Sequence, residues 1–437
     1  MTARNLPAAD FCAIDFGTSN SAIAVPDAAA PGGMALVPLE DGQLTMPTAV
    51  FYLAEGPGLQ NLPRLFGRAA VAAYTEGTEG RLMRSMKSVL GSSLMDQHTD
   101  IGAGRSVSFS DVITGYLLHL KRAAEARAGH AIHHAVLGRP VFFVDDDPVR
   151  DAQAQAALEA AARAVGFEEI AFQYEPLAAA LHHEATVDAE QWLLVADIGG
   201  GTSDFSIVRI GPARRTRLDR RDDVLAHHGV HIAGTDFDRR VELGAILPAI
   251  GYGSFGPSIG GQPPREVPSR IYFDLATWHL VNTLYRPQRL AEARATKVNY
   301  ADPVLHQRLM KVLTDHLGHD LLARAERAKI EVAAGGQTRI SLGLVERGLD
   351  VGLDADRAGA LVGDDIARIT AAAHETVRLA GLDPARIDAL FFTGGSTGLK
   401  GLTDALSAAF PDARPVHGDR LASVAAGLGV YARLLRA

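Results

Sequence analysis

The stretch LLVADIGGGTSDFSIVRI, residues 193–210, decides the fold of this chain. An apolar strand closes on Asp197, a turn of Gly199, Gly200, Gly201 and Thr202 follows, and a second apolar strand runs from Phe205 to Ile210. Near the N-terminus, FCAIDFGTSNSAIAV (residues 11–25) repeats the plan, with Asp15 in the place of Asp197 and Gly17, Thr18, Ser19 and Asn20 in the turn. Consecutive glycines reach backbone angles closed to other residues, so their N–H groups can converge on an anion. Each turn leads into a strand and not a helix, which argues against a Walker-type loop and a Rossmann turn. One such hairpin alone reads more readily as an ordinary turn than as a phosphate site. Two related copies, each closing on an aspartate, predict two lobes facing a shared phosphate. A third strand-end turn, TGGS at 393–396, leads into a helix and offers backbone that a flat ligand can approach closely.

The remaining composition fits that class. The chain has 437 residues, 47% hydrophobic and 22% charged, enough for two sizeable cores. A net charge of −8 argues against nucleic acid or an anionic membrane as the main partner. The single cysteine, Cys12, excludes an internal disulfide and a cysteine metal cluster, and reads as a packed strand residue. No uncharged apolar run is long enough to span a bilayer, and the start MTARNLPAAD lacks the apolar core of a signal peptide, so a cytoplasmic location is expected. The pairs His133/His134, His182/His183 and His227/His228 lack the i, i+4 spacing of a zinc motif and read as ordinary histidines.

Strands and helices alternate in the first half: a strand at 49–53, a helix from Asp111 to Arg127 capped by Asp111, a strand at 135–144, a helix at 149–165 stopped by Gly166, a strand at 170–173 and a helix from Leu177. That order favours an α/β sandwich. Later, residues 248–268 are rich in Gly and Pro and read as a loop, Ile271–Leu284 as a helix, 305–334 as one long helix or two, and 356–380 as a helix. Asp419 caps a terminal helix in this reading. We expect lobe I at 10–187 with an inserted subdomain at about 41–108, lobe II at 188–420 with an insertion at about 239–320, and a terminal helix at 421–437 returning to lobe I.

At these motifs the chain resembles the ATPase domain of the seventy-kilodalton heat-shock (Hsp70) chaperones, within the actin-like ATPase superfamily. IDFGTSNS and ADIGGGTSDFS resemble its two phosphate loops, YEPLAAAL (174–181) its crossing segment, AGTDFD (233–238) its Gly-Gly-x-Asp-Phe-Asp segment, AERAKIEVA (325–333) its ERAK helix and FFTGGSTGL (391–399) its adenosine loop. The resemblance implies an α/β fold of two lobes, each with a ribonuclease-H-like mixed sheet flanked by helices. It implies ATP or ADP with Mg2+ as cofactors, and K+ as a further candidate ion. Asp15, Glu175 and Asp197 would surround the Mg2+ through its waters. Gly17, Thr18, Ser19 and Asn20 would hold the β-phosphate side, and Gly199, Gly200, Gly201 and Thr202 the γ side. Lys87, Glu175, Thr202 and Asp204 would serve hydrolysis, Lys87 by orienting water and stabilising the transferring phosphoryl and Asp204 by placing the attacking water or a monovalent ion. Glu326 and Lys329 would bind the ribose, and Gly394, Gly395 and Ser396 the adenosine; Gly234 and Asp419 match further binding motifs. Only six of the 43 basic residues are lysines, and two of the six, Lys87 and Lys329, fall on motif positions where a compact point charge suits the role.

Three departures from the family pattern shape the expected function. Ile330 and Gly398 stand where the family has arginines that stack on adenine, so cation–π stacking is lost and weaker adenine binding is expected. The chain ends after the terminal helix, so peptide capture through a substrate-binding domain is not expected. Asp238 and Glu326 lie unusually far apart; the added stretch, with Tyr272, Phe273, Trp278 and Tyr285, reads as an enlarged subdomain with its own core or as a docking surface for clients or cochaperones across 248–305. The expected function is ATP binding with slow hydrolysis, driving a conformational switch in protein quality control. The rivals are a nucleotide-sensing module without turnover, an actin-like filament and a small-molecule kinase.

Overall fold

The structure, a computed structural model, describes residues 10–30, 33–54, 63–95, 97–102, 104–144, 147–258, 262–419 and 423–436. Residues 1–9, residues 259–261 of the stretch expected as a Gly/Pro loop, and residues 421, 422 and 437 of the expected terminal helix lie outside them. The chain divides into two compact units. One takes the chain up to Val230, Ala372–Gly395 and the segment from Phe410 onward; the other takes His231–Ala371 and Ser396–Ala409.

Two mixed sheets with the same local plan build the first unit. In one, Phe11–Phe16 pairs antiparallel with Asn20–Pro26 and parallel with His134–Arg139; Glu169–Tyr174 and Met34–Leu36 extend the two sides. In the other, Gln191–Ile198 pairs antiparallel with Ser203–Ile210 and parallel with Ala389–Thr393; Val224–Val230 and Arg414–His417 are the edges. Each aspartate-bearing strand thus lies inside its sheet, between a hairpin partner and a parallel strand. Strands covered on both faces read as continuous apolar runs, which is why Phe11–Ile14 and Leu193–Ala196 are buried throughout. This is the α/β architecture of mixed sheets flanked by helices expected from the sequence.

Helices fix these sheets in place. Phe109–Ala128 lays Val112, Tyr116, Leu117, Leu120 and Ala124 against the first sheet's core. Its N-cap is Ser108 and not Asp111: the Ser108 hydroxyl accepts from the Asp111 N–H at 3.0 Å and donates to the Asp111 carboxylate at 2.7 Å, so Asp111 is the third residue of the helix. Asp147 caps the Pro148–Ala164 helix, and the strand expected to reach 144 ends at Arg139 because Pro140 offers no N–H to the ladder. The Glu175–Glu184 helix packs under the terminal helix Ser423–Leu434 so closely that a Cβ on Gly427 would lie 1.7 Å from the Ala178 carbonyl oxygen. Between the first sheet's strands, the described residues of 49–108 include a three-stranded sheet (Arg64–Phe66, Ala49–Leu53, Gly80–Arg84), the helix Gly67–Thr75 and the antiparallel pair His98–Gly102 and Arg105–Ser108.

The second unit is mostly helical around Ile246, Leu247, Leu309, Leu313, Leu321 and Ala325, and it carries the antiparallel pair Gln337–Ser341 and Asp350–Asp354. The segment 305–334 resolves into two helices, Pro303–Thr314 and Gly318–Val332, broken where His316 takes a left-handed conformation (φ 57°). The single helix expected over Ile271–Leu284 is a short helix, Arg270–Leu275, and a 3-10 turn, Val281–Tyr285. Aromatic and β-branched residues, which lose rotamer freedom in a helix, dominate that stretch. Tyr272 from it is fully buried and bonds Tyr300 through its hydroxyl at 2.8 Å. Glu242 opens a π turn and is fully buried with neither carboxyl oxygen hydrogen-bonded.

Candidate functional site

Both hairpin turns lie at the same end of the first unit and meet. A Cβ on Gly200 would come within 2.8 Å of Ser19 Oγ, so the glycine turn of one hairpin rests against the Thr-Ser-Asn turn of the other. Each turn is internally tied. The Gly199 N–H donates to the Thr202 carbonyl at 3.0 Å, and Thr202 Oγ1 donates to Asp204 Oδ2 at 2.7 Å. In the first hairpin, Thr48 Oγ1 donates to the Gly17 carbonyl at 2.8 Å and accepts from Ser21, while its N–H donates to the Ser19 carbonyl. Thr48 escapes a reading of the sequence because it lies 31 positions from Gly17 in a segment with no motif.

Asp15 and Asp197 stand at the strand ends behind these turns. Each keeps some solvent access. Burial pushes the Asp15 carboxyl up to about 8; Glu175 adds to the rise, Lys87 opposes it, and Asp197 raises it further. Asp197 is pushed up to about 7 by burial first, then by Asp204 and Glu175, with Lys87 again opposing. The four carboxylates Asp15, Glu175, Asp197 and Asp204 and the one ammonium of Lys87 therefore share a field.

Lys87 sits in the 3-10 turn Met86–Val89, just after Ser85 in a left-handed conformation (φ 53°), and its side chain is buried. Its Nζ pairs with Glu175 Oε1. Glu175 is the first residue of its helix, where a negative charge suits the helix dipole, and Pro176 follows in the first turn. Gly138 leaves Glu175 its room, since a Cβ there would lie 3.1 Å from Glu175 Cγ.

The third turn closes on the second hairpin. Gly394 has φ 85°, and a Cβ would meet the Ile198 carbonyl oxygen at 2.4 Å and Asp197 Oδ1 at 2.7 Å. Gly395 is exposed. Asp419 is exposed, and its carbonyl accepts from the Ser423 N–H at the start of the terminal helix.

Other expected residues lie in the second unit. Gly234 opens the helix Gly234–Val241, and its carbonyl accepts from Lys329 Nζ at 3.3 Å. The same ammonium pairs with Asp238 Oδ1 at 2.6 Å. Burial pushes Asp238 up to about 6, offset in part by Lys329 and reinforced by Glu326 and Asp236. Asp236 Oδ2 accepts from the Ala233 N–H at 3.0 Å, which caps the start of this helix. Glu326 is exposed three residues before Lys329 on the same helix face. Ile330 is 62% exposed. Ser396 begins a short turn whose continuation ties back through the Lys400 N–H to the Ala333 carbonyl.

This arrangement suits a polyanion with a hydrated dication. Among the described residues the carboxylates of Asp15, Glu175, Asp197 and Asp204 outnumber the Lys87 ammonium in a partly desolvated setting, and no three His, Cys, Asp or Glu side chains converge tightly enough to hold a metal directly. Magnesium, which keeps most of its waters, matches that donor set. No helix among the described residues is long and apolar enough to cross a membrane.

A family model described as Hsp70 protein matches residues 11–242, just over half of the chain. The matched span holds both hairpins, Lys87, Glu175, Asp204 and Gly234; Glu326, Lys329, Gly394, Gly395, Ser396 and Asp419 fall beyond it.

Proposed function

Because the chain belongs to the Hsp70 family, whose members are ATP-binding chaperones, we propose that it binds ATP and ADP with Mg2+, hydrolyses ATP slowly and switches conformation with nucleotide state in protein quality control. The observation that carries this reading is the meeting of two hairpin turns, Ser19 against Gly200, with Asp15 and Asp197 at the strand ends behind them.

In this proposal Asp15, Glu175 and Asp197 hold the hydrated Mg2+, which supplies charge neutralisation at phosphoryl oxygens. The chain's own groups do the rest. Backbone amides at Thr18, Ser19 and Asn20 and at Gly199–Thr202 grip the phosphates. Lys87, kept in place by Glu175, offers a positive charge to the transferring phosphoryl, and Asp204 orients the attacking water. Most of the acceleration comes from positioning and preorganised charge, because a phosphoryl transfer of this kind asks for little covalent help. The ribose and adenosine roles of Glu326, Lys329, Gly234, Gly394, Gly395, Ser396 and Asp419 rest on the family motifs, as does a place for K+. Clients or cochaperones are the proposed protein partners, with residues 248–305 as the docking segment, where Phe255 and Val298 are exposed. A cytoplasmic location belongs to the same proposal.

One observation favours a second reading, nucleotide binding without useful turnover: Ile330 presents an exposed aliphatic side chain where a stacking arginine is the family pattern. Calorimetric titration of Mg-ADP together with phosphate release from ATP separates the two. Wild-type protein should bind and release phosphate, and Lys87→Ala should lose release while retaining ADP. Binding without release in the wild type selects the second reading, and no binding at all rejects both.

A further inference from the structure

His227 lies on the edge strand Val224–Val230, opposite Ser206, while Gly229 lies opposite Asp204. Ser206 Oγ is 3.0 Å from His227 Nδ1, and His227 Nε2 is 3.8 Å from Asp204 Oδ1. Asp204 Oδ2 is already held by Thr202. Asp204 and Ser206 alternate onto one face of the strand Ser203–Ile210 and Thr202 donates to Asp204 from the turn before it, so Ser206, His227, Asp204 and Thr202 form one polar line ending at the glycine turn. Ser206 is buried, the His227 side chain is 10% exposed, and the Phe142 ring stands edge-on to the imidazole at 6.3 Å.

The chemistry of the ring sets its orientation. With a hydrogen on Nδ1 alone, the Nε2 lone pair would face the Asp204 carboxylate, which is repulsive. The favourable neutral form has the Ser206 hydroxyl donating to Nδ1 and the ring hydrogen on Nε2, and the imidazolium carries that hydrogen too. Either way, an Nε2–H is aimed at Asp204 Oδ1. At 3.8 Å the contact is electrostatic steering or is bridged by one water, being too long for a direct hydrogen bond. Gly229 supplies the space: a Cβ there would fall 2.4 Å from Asp204 Oδ1. Its φ lies outside the left-handed region, so this glycine serves the close approach of a neighbour and not a turn.

We infer that His227 is a positioning residue for Asp204: Thr202 fixes one carboxylate oxygen and the Ser206-oriented imidazole fixes the other, so that the carboxylate faces the attacking water. This rests on the hydrolysis proposed above. The plain alternative is an edge-strand histidine satisfied by a serine, with no bearing on turnover.

Steady-state phosphate release, calorimetric Mg-ADP affinity and melting temperature are measured for wild type, His227→Gln, His227→Leu and Ser206→Ala. His227→Leu should lower kcat on the order of 10-fold, the usual cost of removing a group that orients a functional side chain, with KM and ADP affinity within about twofold, since the loss falls on the chemical step. His227→Gln, whose amide N–H can stand where Nε2–H stood, should restore most of kcat. Ser206→Ala, which frees the ring to turn, should fall between. Wild-type kcat in His227→Leu overturns the inference, as does a His227→Gln enzyme as slow as His227→Leu, which would mean lost packing and not a lost donor. A wild-type protein that binds ADP but releases no phosphate overturns the hydrolysis reading and this inference together. If His227→Leu does not fold, His227→Asn, too short to span the gap, replaces it with the same two outcomes.

Discussion

Lys87 and Glu175, 88 positions apart in the chain, form a part-buried ion pair within the first unit. The pair is lopsided in its surroundings, because Lys87 also offsets Asp15 and Asp197 while Glu175 raises both. Removing one partner of a buried pair strands the other charge, typically at a cost of about 3–5 kcal/mol. Here the two removals should differ. Lys87→Met removes the charge that offsets Asp15, Asp197 and Glu175 and should lower the melting temperature markedly. Glu175→Gln removes one of four competing carboxylates and should cost much less or stabilise. Thermal melts of the ligand-free variants at pH 7.5 check this; equal losses would count against the shared-field picture.

Asp15 and Asp197 also set a pH dependence. Their folded values, about 8 and about 7, lie above the ordinary value of 3.8, so the folded state binds more protons than the unfolded chain in between. The stability they contribute is full below the unfolded value, declines as pH rises, and is gone once pH passes the folded values. Ligand-free protein should therefore gain melting temperature between pH 8 and pH 6, and Asp197→Asn should flatten that gain and raise the melting temperature at pH 8. The same variant should lose most of the stabilisation that Mg-ADP gives the wild type, because only a ligand that binds the folded state raises its stability. Scanning calorimetry across pH, with and without Mg-ADP, tests both halves; an Asp197→Asn protein less stable than wild type at pH 8 would refute the first.

Gly394 combines a left-handed backbone with a wall of main chain. An L side chain there meets the intrinsic cost of positive φ, about 1–2 kcal/mol, and a collision with the Ile198 carbonyl and Asp197 that demands backbone movement. We expect Gly394→Ala to destabilise by about 2–4 kcal/mol, adding an overpacking cost to the backbone one. Gly401, with open space around its Cβ position, is the control: Gly401→Ala, inside a helix, should be neutral or stabilising. Urea denaturation of the two variants makes the comparison.

Glu242 is a buried acid with no hydrogen-bond partner for either oxygen, and burial together with Asp238 holds its carboxyl well above the usual range. An unsatisfied buried polar group costs about 1–3 kcal/mol, which an apolar residue of similar size does not incur. Glu242→Leu should raise stability by that order in urea denaturation, and Glu242→Gln, which keeps the polar burden, should not.

The hairpins, the helix-bearing first half and the α/β class could be read from the chain because their signals are local. Apolar runs of strand length flank Asp15 and Asp197, and glycines follow each or lie close by. The cap of the Phe109–Ala128 helix moved from Asp111 to Ser108 because both residues are good caps three positions apart, and only the turn's geometry chooses between them. The Ile271–Leu284 helix failed for a different reason: apolar content suggested it, while rotamer-restricted residues broke it into two short pieces.

Residue types and their spacing thus determined which loops exist and which acids stand at their strand ends, since turn chemistry and strand burial act over a few positions. Tertiary structure alone decided that Ser19 meets Gly200, that Thr48 holds Gly17, that Lys87 serves three carboxylates, and that His227 faces Asp204. Those contacts join segments without any common period, and they form only when sheet register brings distant backbones within a few ångströms of each other.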